Sequence, residues 1–588
     1  MDCPIFFFFL LLTLLPTLSA GFPRSKLLTL ELEQSQTPTP TPTTFFQVTR
    51  PITPPPNSTH CSTLVLTHDF AYTYTKPPVT SLYNPPTHCT PRAPPSLAVL
   101  EFSSTCIGRQ FDRIFGVWLG GAEILRSCTA EPRASGIAWS VQKDITSYSS
   151  LLSRPQTLAV YLGNIVDATY TGVYHVNVSI HLYFDHRAAD KKKASAAAAA
   201  GFGSPADLIV PLSRPLPLND GLVPGQRLDR HRDGAVRRSR NTFRAVLEVY
   251  VSFHSDDEFW YSNPPDEYIS ANNLSSPGNG AFREVTVSLD GDLVGVIWPF
   301  TVIYTGGINP LLWRPITGVG SFDLPTYDID VTPFLGKVLD GKKHTIGFGV
   351  TNGLDVWYVD GNLHLWLDSK SSYTVGSLIE YKAPGFRPSL VSKFKGLDGS
   401  FDTRAHRQIS ATGWVKSSHG KITTNFFQRL DYENLMEFKG NGSVQVVNQT
   451  IEFSYGTYAK HPATVLYSEQ VYRKFPLYLY TGSSDEVNDS YSLDANVMLG
   501  YDEKRFSGER FGFSFSTLRN LQNAQGTMYV KGNLVTGGLE EYSGSVQIRE
   551  HRRLLLQECE QQQLHYSSRR VWKFLHRGLG ILFHPMTT

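Results

Sequence analysis

Residues 110–127 read QFDRIFGVWLGGAEILRS, and Gly120 and Gly121 separate two apolar runs within this stretch. A glycine pair between two apolar runs is typical of a tight β-hairpin, because both central residues of its turn need a positive φ. The stretch therefore predicts a hairpin of two apolar strands. Asp112 and Arg113 stand where the first strand begins. An acid beside a permanent cation is a common start for a site that handles an amide or a sugar, but these two residues alone favour a surface ion pair.

The composition indicates several β-rich domains and gives no support to nucleic-acid binding. A chain of 588 residues is too long for one core and predicts about three domains. Hydrophobic residues make up 41% of the chain and aromatic residues 12%, which favours strands and supplies flat rings that stack on sugars as readily as they fill a core. The net charge of +2 suggests no nucleic-acid partner, and no basic stripe interleaved with aromatic residues is present outside the basic loop and tail named below.

The N-terminal residues predict a secretory signal peptide. Ile5–Leu15 is an apolar segment too short to span a bilayer, and Leu18-Ser19-Ala20 has the small residues of a cleavage site. No later apolar run reaches the roughly 18 residues of a membrane-spanning helix, so no membrane partner is expected. We therefore expect the mature chain in the secretory pathway, with the extracellular space, the cell wall or the vacuole as its destination. Six glycosylation sequons agree with this compartment, at Asn57, Asn177, Asn273, Asn441, Asn448 and Asn488.

The cysteines favour disulfides over a metal site. Four of the six cysteines fall within one stretch of the first predicted domain: Cys61, Cys89, Cys106 and Cys128. In an oxidising compartment two disulfides among them are expected, with three pairings left open. Zinc is the alternative, but the spacings contain no CxxC or HxxxH pattern, and we expect no metal.

Shifts in composition divide the chain into segments. The predicted organisation is a signal peptide at 1–20, a Pro/Thr-rich linker at 21–44, a first β-sandwich at 45–187, a low-complexity insert at 188–200, a second β-sandwich at 201–368, a β-rich C-terminal domain at 369–542 and an atypical tail at 543–588. Residues 221–240 form a basic loop in the second sandwich, which we expect to be exposed to proteases. Proteolytic processing into associated fragments is the expected consequence.

Alternation of apolar and polar residues indicates strands in both sandwiches and again in the C-terminal domain. Tyr174–Phe184, Asn241–His254 and Gly526–Val535 are the clearest cases, and no stretch in the sandwiches shows a sustained helical period. Hairpin turns are predicted at Asp290-Gly291, Asp340-Gly341, Asn352-Gly353 and Asp360-Gly361. The predicted fold class is all-β, with two adjacent antiparallel sandwiches of the jelly-roll type followed by a further β-rich domain.

Two further polar clusters stand out in the second sandwich. Residues 256–258 (DDE) place three carboxylates directly before the aromatic residues 259–261 (FWY). Carboxylates that crowd together against aromatic rings raise the pKa of at least one of them, as a general acid requires. A calcium loop is the alternative, but the DxDxDG spacing is absent. In residues 309–315 (NPLLWRP), Trp313 and Arg314 offer a stacking face and a fixed cation on a proline-bounded loop.

Several catalytic motifs are absent from the sequence. There is no GxSxG elbow, no HExxH, no P-loop and no GxGxxG after a strand, so the esterase, zinc-protease, NTPase and dinucleotide-binding classes lose support. Carboxylate chemistry with aromatic residues nearby remains, which suits hydrolases that act on carbohydrates. This chemistry calls for no cofactor.

A family resemblance is carried by five segments, which are residues 68–79 (HDFAYTYTKPPV), 108–132 (GRQFDRIFGVWLGGAEILRSCTAEP), 250–265 (YVSFHSDDEFWYSNPP), 306–330 (GGINPLLWRPITGVGSFDLPTYDID) and 356–368 (VWYVDGNLHLWLD). Together they resemble the plant peptide-N-glycosidase A family, whose members are peptide-N4-(N-acetyl-β-glucosaminyl)asparagine amidases. The resemblance covers residues 45–368, with weaker coverage beyond. More distantly, the family is similar to bacterial peptide-N-glycosidase F, which has two adjacent jelly rolls with the active site between them.

This resemblance implies two catalytic carboxylates. The bacterial catalytic Asp precedes an Arg at a strand start, so the resemblance implies that Asp112 is the principal catalytic carboxylate. It implies that Glu258, which precedes an aromatic residue in the second sandwich, positions the reacting groups or donates a proton. A third bacterial acid has no carboxylate here, because Gly163 and Asn164 occupy its place, and Asp167 is the nearest substitute.

The resemblance also suggests residues that bind the substrate. Arg113 and Arg314 are expected to polarise the scissile carbonyl or to orient the catalytic carboxylate. Trp260 and Trp313 are candidates for stacking on the sugar, although a Trp in a β-rich chain lies more often in the core.

The expected reaction is hydrolysis of the side-chain amide that links Asn to N-acetylglucosamine. It releases the glycan and converts Asn to Asp, and the expected substrate is an N-glycopeptide or a denatured glycoprotein. Two other classes of function stay open from the residues alone. One is a glycoside hydrolase that acts on glycoprotein glycans, and the other is a secreted lectin-like protein that binds sugars without turnover.

Overall fold

The computed structural model describes residues 42–87, 94–185, 201–212, 240–484, 489–509, 512–531 and 534–554. The predicted signal peptide, the insert at 188–200 and residues 221–239 of the basic loop lie outside the described residues, as do Cys89 and Asn488. Within the described residues the chain forms 26 strands and only short helices. The predicted all-β class is therefore confirmed.

The hairpin predicted at residues 110–127 is present. Strand β5 (Ile114–Leu119) pairs with β6 (Ala122–Cys128) in antiparallel fashion, with Ile114 opposite Cys128. Gly120 and Gly121 have φ values of +61° and +88°. Both central residues of the turn therefore lie in the left-handed region, as a type I′ turn requires. Both strands are almost entirely buried.

The other strands of the first sandwich are β1 (Thr43–Gln47), β2 (Ser58–Phe70), β3 (Val79–Tyr83), β4 (Leu97–Cys106), β7 (Ile137–Asp144), β8 (Gln156–Leu162) and β9 (Tyr174–Asp185). One sheet has the strand order β1-β7-β4-β9-β2 and the facing sheet has the order β3-β8-β5-β6. The two sheets meet in the core, where Phe102 of β4 stacks on Phe115 of β5 with 4.3 Å between ring centroids. One pairing departs from the prediction, because β1 runs parallel to β7.

The strands of the second sandwich are β10 (Leu208–Pro211), β11 (Thr242–Phe253), β12 (Glu284–Leu289), β13 (Asp292–Ile297), β15 (Thr326–Asp330), β16 (Ile346–Thr351) and β17 (Trp357–Leu367). They form two sheets, with the orders β10-β17-β11-β15 and β13-β12-β16. The two-residue strand β14 (Ile316–Thr317) leaves this sandwich and pairs in parallel with β1 of the first sandwich. The two sandwiches therefore share a sheet. The jelly-roll type of connection stays a prediction.

Helical segments are short and lie between the strands. The α-helices are α1 (Ser149–Leu152), α2 (Asp266–Ala271) and α3 (Leu335–Val338). The 3₁₀ turns are Thr146–Tyr148, Ser255–Asp257, Trp260–Ser262, Pro310–Trp313 and Thr332–Phe334.

A single large antiparallel sheet forms the C-terminal part of the described chain. Its strands are β18 (Val375–Lys382), β19 (Ser389–Lys395), β20 (Asp398–Ser417), β21 (Gly420–Lys439), β22 (Val444–His461), β23 (Thr464–Ser483), β24 (Ser490–Glu509), β25 (Gly512–Lys531) and β26 (Leu534–Leu554). They pair in sequence order, except that β18 and β19 both pair with β20. The last strand continues to Leu554, so the first residues of the predicted tail belong to this sheet.

Strand β11 is buried on both faces, because one of its faces meets the first sandwich. The alternation of apolar and polar residues predicts that Glu248, Tyr250 and Ser252 face solvent, but all three are buried. Tyr148 donates a hydrogen bond to Glu248, and Arg126 Nη1 donates to Ser252 Oγ over 3.2 Å. Polar side chains at these positions therefore join the two sandwiches.

Further buried hydrogen bonds lock the hairpin to β17 of the second sandwich. Trp118 Nε1 donates to Asp360 Oδ2 over 3.1 Å, and Arg126 Nη1 donates to the carbonyl of Tyr358 over 2.5 Å. Arg126 also pairs with Glu123 at 2.6 Å, and both side chains are buried. Burial raises the pKa of Glu123 to about 7, while the Arg126 charge acts in the opposite direction. Because unpaired buried polar groups are costly, this network fixes one sandwich against the other.

The four predicted hairpin turns have different outcomes. Asp290-Gly291 joins β12 to β13 with φ values of +50° and +89°, as predicted. Asp360-Gly361 lies inside β17, and that prediction is wrong. Asp340-Gly341 and Asn352-Gly353 turn the chain between elements that do not pair with each other, so they are not hairpins.

Five of the predicted glycosylation sites lie on the surface. The exposed residues are Asn57, Asn177, Asn273, Asn441 and Asn448. Exposure is what a glycan requires, and their modification stays a prediction. Across the part of the chain that the structure describes, no helix is both long enough and apolar enough to cross a bilayer.

Candidate active site

Three half-buried carboxyl groups from both sandwiches lie close enough to act on one another, and the space around them is called the cleft. Asp112 lies just before β5, Glu131 follows β6, and Glu258 follows β11. Burial raises the pKa of Asp112 to about 8, and the charges of Glu258 and Glu131 add to this rise. Such mutual effects require the carboxyl groups to be close neighbours. The fold therefore brings together Asp112 and Glu258, which are far apart in sequence, and adds a third acid.

The main chain around Asp112 is held entirely by the first sandwich. Tyr174 Oη donates to the carbonyl of Phe111 over 3.1 Å. The N–H of Arg113 donates to Thr129 Oγ1 and the N–H of Thr129 donates to the carbonyl of Arg113, each over 2.9 Å. The residues on both sides of Asp112 are thus fixed by β9 and by the segment after β6.

Cys128 is a free, buried thiol beside Asp112, so its predicted disulfide is wrong. Cys128 Sγ lies 3.5 Å from Asp112 Oδ2 and donates a weak hydrogen bond that lowers the pKa of the carboxyl. Cys106 is also free and buried, and burial raises its pKa to about 12. The two cysteines end strands in facing sheets, which are about 10 Å apart, whereas a disulfide needs Cβ atoms within about 4.5 Å. Cys61 is disulfide-bonded. Of the four cysteines expected to pair, Cys89 is the remaining candidate partner, and it lies outside the described residues.

The three acids at residues 256–258 point in different directions. Asp256 is exposed, Glu258 is half-buried, and Asp257 is fully buried beneath the loop. Asp257 Oδ1 accepts hydrogen bonds from Arg283 Nε and Nη2 at 3.0 and 2.6 Å. Its Oδ2 accepts from Trp357 Nε1 over 2.6 Å. Asp257 therefore anchors the loop and leaves its neighbour Glu258 directed toward the cleft.

Asp257→Asn is expected to destabilise the protein by about 3–5 kcal/mol, because it leaves the buried Arg283 guanidinium without a counter-charge. The measurement is the urea concentration at the midpoint of unfolding, followed by tryptophan fluorescence. Asp256→Asn is the matched control in the same turn, and its exposed side chain predicts a change within about 0.5 kcal/mol. Equal midpoints for the two variants would contradict the anchoring role of Asp257.

Arg314 forms an ion pair with Glu131. Its Nη2 lies 3.4 Å from Glu131 Oε2, and only 6% of the Arg314 side chain is exposed. Burial raises the pKa of Glu131, and the charge of Arg314 partly offsets that rise. Gly306 packs against the same carboxylate: a Cβ there would lie 3.2 Å from Oε2, and its φ is +81°. A side chain at position 306 would therefore crowd Glu131.

Arg113 lies at the edge of the cleft and points away from its neighbour Asp112. Its Nη2 donates to Gln110 Oε1 over 3.0 Å, and its guanidinium stands 5.9 Å from the centre of the Tyr170 ring. The charge of Arg113 still lowers the pKa of Asp112, but this effect is smaller than those of burial, Glu258, Glu131 and Cys128. Arg113 is thus next to Asp112, as expected, but its guanidinium group faces Gln110 and Tyr170.

The two tryptophans predicted to stack on a sugar are core residues. Trp260 is 0% and Trp313 is 1% exposed, so neither has an open ring face. Trp260 packs edge-on against Phe253, and Trp313 Nε1 donates to the carbonyl of Gly307 over 2.7 Å. The prediction is corrected because the aromatic clusters of these loops fill the space beneath them.

Tyrosines provide the accessible rings in this region. Tyr358 packs beside His254 with 4.9 Å between ring centroids, and His254 stacks on Tyr304 at 5.3 Å. Tyr304 is close enough for the charge of Glu258 to raise its pKa, although burial contributes more. Tyr358 is half-buried and neighbours Tyr74, which is 47% exposed. A row of rings therefore leads from the carboxyl cluster to the surface.

Glu131 was missed in the sequence, and the hairpin register was the signal that could have revealed it. Because Ile114 lies opposite Cys128, residues just before 114 and just after 128 lie at the same end of the hairpin. Asp167, the substitute proposed from sequence, is exposed, and its Oδ1 accepts from the N–H groups of Thr169 and Tyr170 at 2.7 Å. It serves as a turn cap there.

Comparisons with known proteins cover both the sandwiches and the C-terminal sheet. Residues 51–384 match a family model described as peptide N-acetyl-beta-D-glucosaminyl asparaginase amidase A. Residues 400–477 match a model described as the PNGase_A C-terminal domain. A protein of Prunus dulcis named peptide-N4-(N-acetyl-beta-glucosaminyl)asparagine amidase A is 57% identical over 501 residues, which is 84% of this chain and 86% of the relative.

Two solved structures are similar at much lower identity. PNGase F from Flavobacterium meningosepticum, titled a glycosylasparaginase, is 14% identical with a TM-score of 0.34, and the match covers 53% of this chain and 97% of that one. A second structure, titled peptide-N(4)-(N-acetyl-beta-D-glucosaminyl) asparagine amidase, is 14% identical with a TM-score of 0.32, over 54% of this chain and 98% of that one.

Proposed function

Because the chain belongs to the peptide N-acetyl-beta-D-glucosaminyl asparaginase amidase A family, we propose that it hydrolyses the amide between Asn and N-acetylglucosamine in N-glycopeptides. The reaction releases the glycan as a glycosylamine and leaves Asp in the peptide. The observation that supports this proposal and assigns it to particular residues is the carboxyl cluster of Asp112, Glu258 and Glu131, in which Asp112 has a pKa of about 8.

A carboxyl pair that shares one proton supplies both an acid and a base for amide hydrolysis. Below about pH 8 the proton resides on Asp112, because burial and the negative charge of Glu258 favour its neutral form. Glu258 then acts as the general base: it takes a proton from water, whose oxygen bonds to the side-chain carbonyl carbon. Asp112 gives its proton to the nitrogen as the carbon–nitrogen bond breaks. The proton gained by Glu258 returns to Asp112, and the cycle is complete.

Glu131 and Arg314 together favour the protonated form of Asp112. Arg314 favours the charged form of Glu131, and that negative charge in turn favours the neutral form of Asp112. Arg314 therefore acts through Glu131 as a positioning residue. Arg113, at the edge of the cleft beside Tyr170, is the cation available to orient the peptide or the sugar.

The sugar is expected to rest on tyrosine rings. Tyr74 and Tyr358 are accessible and lie at the surface end of the aromatic row that begins at Tyr304. Rings in such a position stack on the apolar face of a pyranose while their hydroxyl groups stay hydrated. Because Asp112 and Glu258 are both half-buried, the substrate asparagine must reach into the cleft. This requirement favours a glycopeptide or a denatured glycoprotein.

The remaining features support a secreted enzyme. The predicted signal peptide, the exposed sequon asparagines and the disulfide of Cys61 all suit the secretory pathway, with the cell wall, the extracellular space or the vacuole as the destination. Because Cys106 and Cys128 are free, Cys89 is the expected partner of Cys61.

Cleavage in the basic loop is expected to leave two fragments that stay associated and active. Strand β10 precedes the loop and pairs with β17 beyond it, with Leu208 opposite Leu365. Strand β1 likewise pairs with β14. The measurement is limited trypsin digestion, with two bands on a denaturing gel and one active peak on native size exclusion. Separation of the fragments on the native column would contradict the expectation.

The proposed reaction is tested with a short N-glycopeptide and mass spectrometry of the products. Conversion of the glycosylated Asn to Asp with release of the whole glycan supports the amidase. A peptide that retains one N-acetylglucosamine would identify a glycoside hydrolase instead. An unchanged peptide would point to a lectin-like protein, and the amidase proposal would then fail.

A further inference from the structure

Buried amide side chains on the C-terminal sheet hold the loop that carries Glu258. Asn434 Nδ2 on β21 donates to the carbonyl of Tyr261 over 3.0 Å. Gln445 Nε2 on β22 donates to the carbonyl of Ser262 over 2.8 Å. These carbonyls follow Glu258 by three and four residues, within the next 3₁₀ turn. The C-terminal sheet thus binds the main chain of the loop directly.

The amides themselves are fixed by their neighbours on the sheet. Gln449 lies opposite Asn434 on the next strand, and its Oε1 accepts from Asn434 Nδ2 over 3.0 Å and from Tyr432 Oη over 2.8 Å. Gln449 Nε2 donates to Thr301 Oγ1 over 2.8 Å. Asn434 and Gln449 are both 0% exposed. A buried network of this kind holds its members in defined orientations.

The same sheet supports the segment that carries Arg314. Leu311 packs against Met528 and Val530 of β25. Further along the segment, Gln522 Oε1 accepts from the N–H of Val319 over 2.9 Å, and its Nε2 donates to the carbonyl of Thr317 over 3.1 Å. The sheet therefore contacts this segment on both sides of Arg314.

The three charged groups of the cleft thus depend on different supports. The main chain around Asp112 is held by Tyr174 and Thr129 of the first sandwich. The loop of Glu258 is held at Asp257 by the second sandwich and after Glu258 by the C-terminal sheet, and the segment of Arg314 rests on the same sheet. The distance between the general base and Asp112 consequently depends on how the C-terminal sheet sits on the second sandwich as well as on the Asp257 anchor.

We propose that the C-terminal sheet is a positioning scaffold for the active site, and that Asn434 and Gln445 are positioning residues which hold Glu258 at working distance from Asp112. This inference rests on the proposed function, in which Glu258 is the general base. A general base must stand within about 2.6–3.2 Å of the proton that it takes. Misplacement of a reacting group by about 1 Å costs roughly 10²-fold in rate. Directional hydrogen bonds to the loop carbonyls supply that precision better than apolar packing does.

The test compares Asn434→Leu and Gln445→Glu with Gln428→Leu in the full-length chain. The first two variants remove a donor to the Glu258 loop. Gln428 is the matched control: it is a buried amide on the same strand as Asn434, and it bonds the N–H and carbonyl of Val296 at 2.9 and 3.0 Å. The readouts are the thermal unfolding midpoint, kcat, KM and the pH dependence of kcat/KM on an N-glycopeptide.

We expect Asn434→Leu and Gln445→Glu to lower kcat by roughly 10- to 100-fold with little change in KM, because misplacement affects the reaction step more than binding. The alkaline limb of the pH profile should move to lower pH, since a displaced Glu258 no longer favours the neutral form of Asp112. Gln428→Leu should lower the unfolding midpoint but leave kcat and the alkaline limb at wild-type values.

The inference is overturned if all three variants lose stability to a similar extent while kcat and the alkaline limb stay as in the wild type. If Asn434→Leu fails to fold, Gln445→Glu decides on its own by the same criteria. A wild-type chain that releases no glycan overturns the proposed function itself. An active wild type with insensitive variants overturns only the role of the C-terminal sheet.

Discussion

Asp112→Asn is expected to lower kcat for glycan release by roughly 10³- to 10⁴-fold. In the wild type the half-buried Asp112 carboxyl has a pKa of about 8 and therefore carries a proton that it can donate at neutral pH. The asparagine amide has nearly the same shape but cannot donate a proton to the leaving nitrogen or take one back. The measurement is kcat on an N-glycopeptide by single-turnover and steady-state kinetics.

The loss of activity should occur without unfolding of the Asp112→Asn variant. The check is the unfolding midpoint of the wild type and the variant, measured as a function of pH. The pKa of Asp112 rises from 3.8 to about 8 on folding, so between these values the folded state holds a proton that the unfolded state has released. This contribution to stability is therefore fully present below pH 4 and is lost as the pH rises through 8. Asp112→Asn removes it, so the unfolding midpoint of the wild type should fall relative to that of the variant from pH 5 to pH 8.

Asp167→Asn is the matched control for Asp112→Asn. Asp167 is an acid in the same sandwich, but it is exposed and accepts hydrogen bonds from main-chain N–H groups, which an asparagine side chain can also do. Its activity should stay within about twofold of the wild type, as is usual for exposed substitutions. Retention of more than a tenth of the activity by Asp112→Asn would show that the acid lies elsewhere.

Local features of the fold were predictable because neighbouring residues determine them. The glycine pair at 120–121 favours a type I′ turn because glycine adopts a positive φ without steric cost, and the structure has that turn. Strand β9 alternates in burial as its sequence alternates in polarity, because one face packs in the core and the other is solvated. The same reasoning predicted one strand over Gly526–Val535. It holds for the buried Met528 and Val530 of β25 but not for the whole range, because β25 ends at Lys531 and β26 begins at Leu534.

Features that depend on distant elements could not be read from local patterns. Glu248, Tyr250 and Ser252 look like the solvent face of a strand, yet they are buried because another sandwich covers them. Asp360-Gly361 has the residues of a hairpin turn, but β11 pairs with both residues and the N–H of Leu212, just after β10, donates to the carbonyl of Gly361. Tertiary pairing overrides turn propensity at such positions.

The predictions for the candidate site likewise failed where they depended on tertiary packing. The proximity of Asp112 and Glu258 was expected from the family resemblance, since no spacing rule connects two strands of different sandwiches. The burial of Trp260 and Trp313 depends on how their loops pack, and aromatic content alone does not distinguish a sugar platform from a core. The free Cys128 was assigned to a disulfide because the compartment favours pairing, but its thiol is enclosed beside Asp112.

Glu258→Gln is expected to lower kcat by roughly 10²- to 10⁴-fold and to move the alkaline limb of the remaining activity to lower pH. The first effect follows from the loss of the general base. The second follows because Glu258 contributes, after burial, the largest of the charges that raise the pKa of Asp112. Without that charge Asp112 loses its proton at a lower pH. The measurement is kcat/KM across pH 5 to 9, which reports the free enzyme.

Two controls separate catalysis by Glu258 from its charge. Glu131→Gln removes another negative charge that raises the pKa of Asp112, so it should also move the alkaline limb to lower pH, but by less, and it leaves the base in place. Asp256→Asn removes an exposed acid from the same turn as Glu258 and should change neither kcat nor the limb. If Glu258→Gln moved the limb but kept kcat as high as Glu131→Gln does, Glu258 would be an electrostatic neighbour of Asp112, and the general base would have to be sought elsewhere in the cleft.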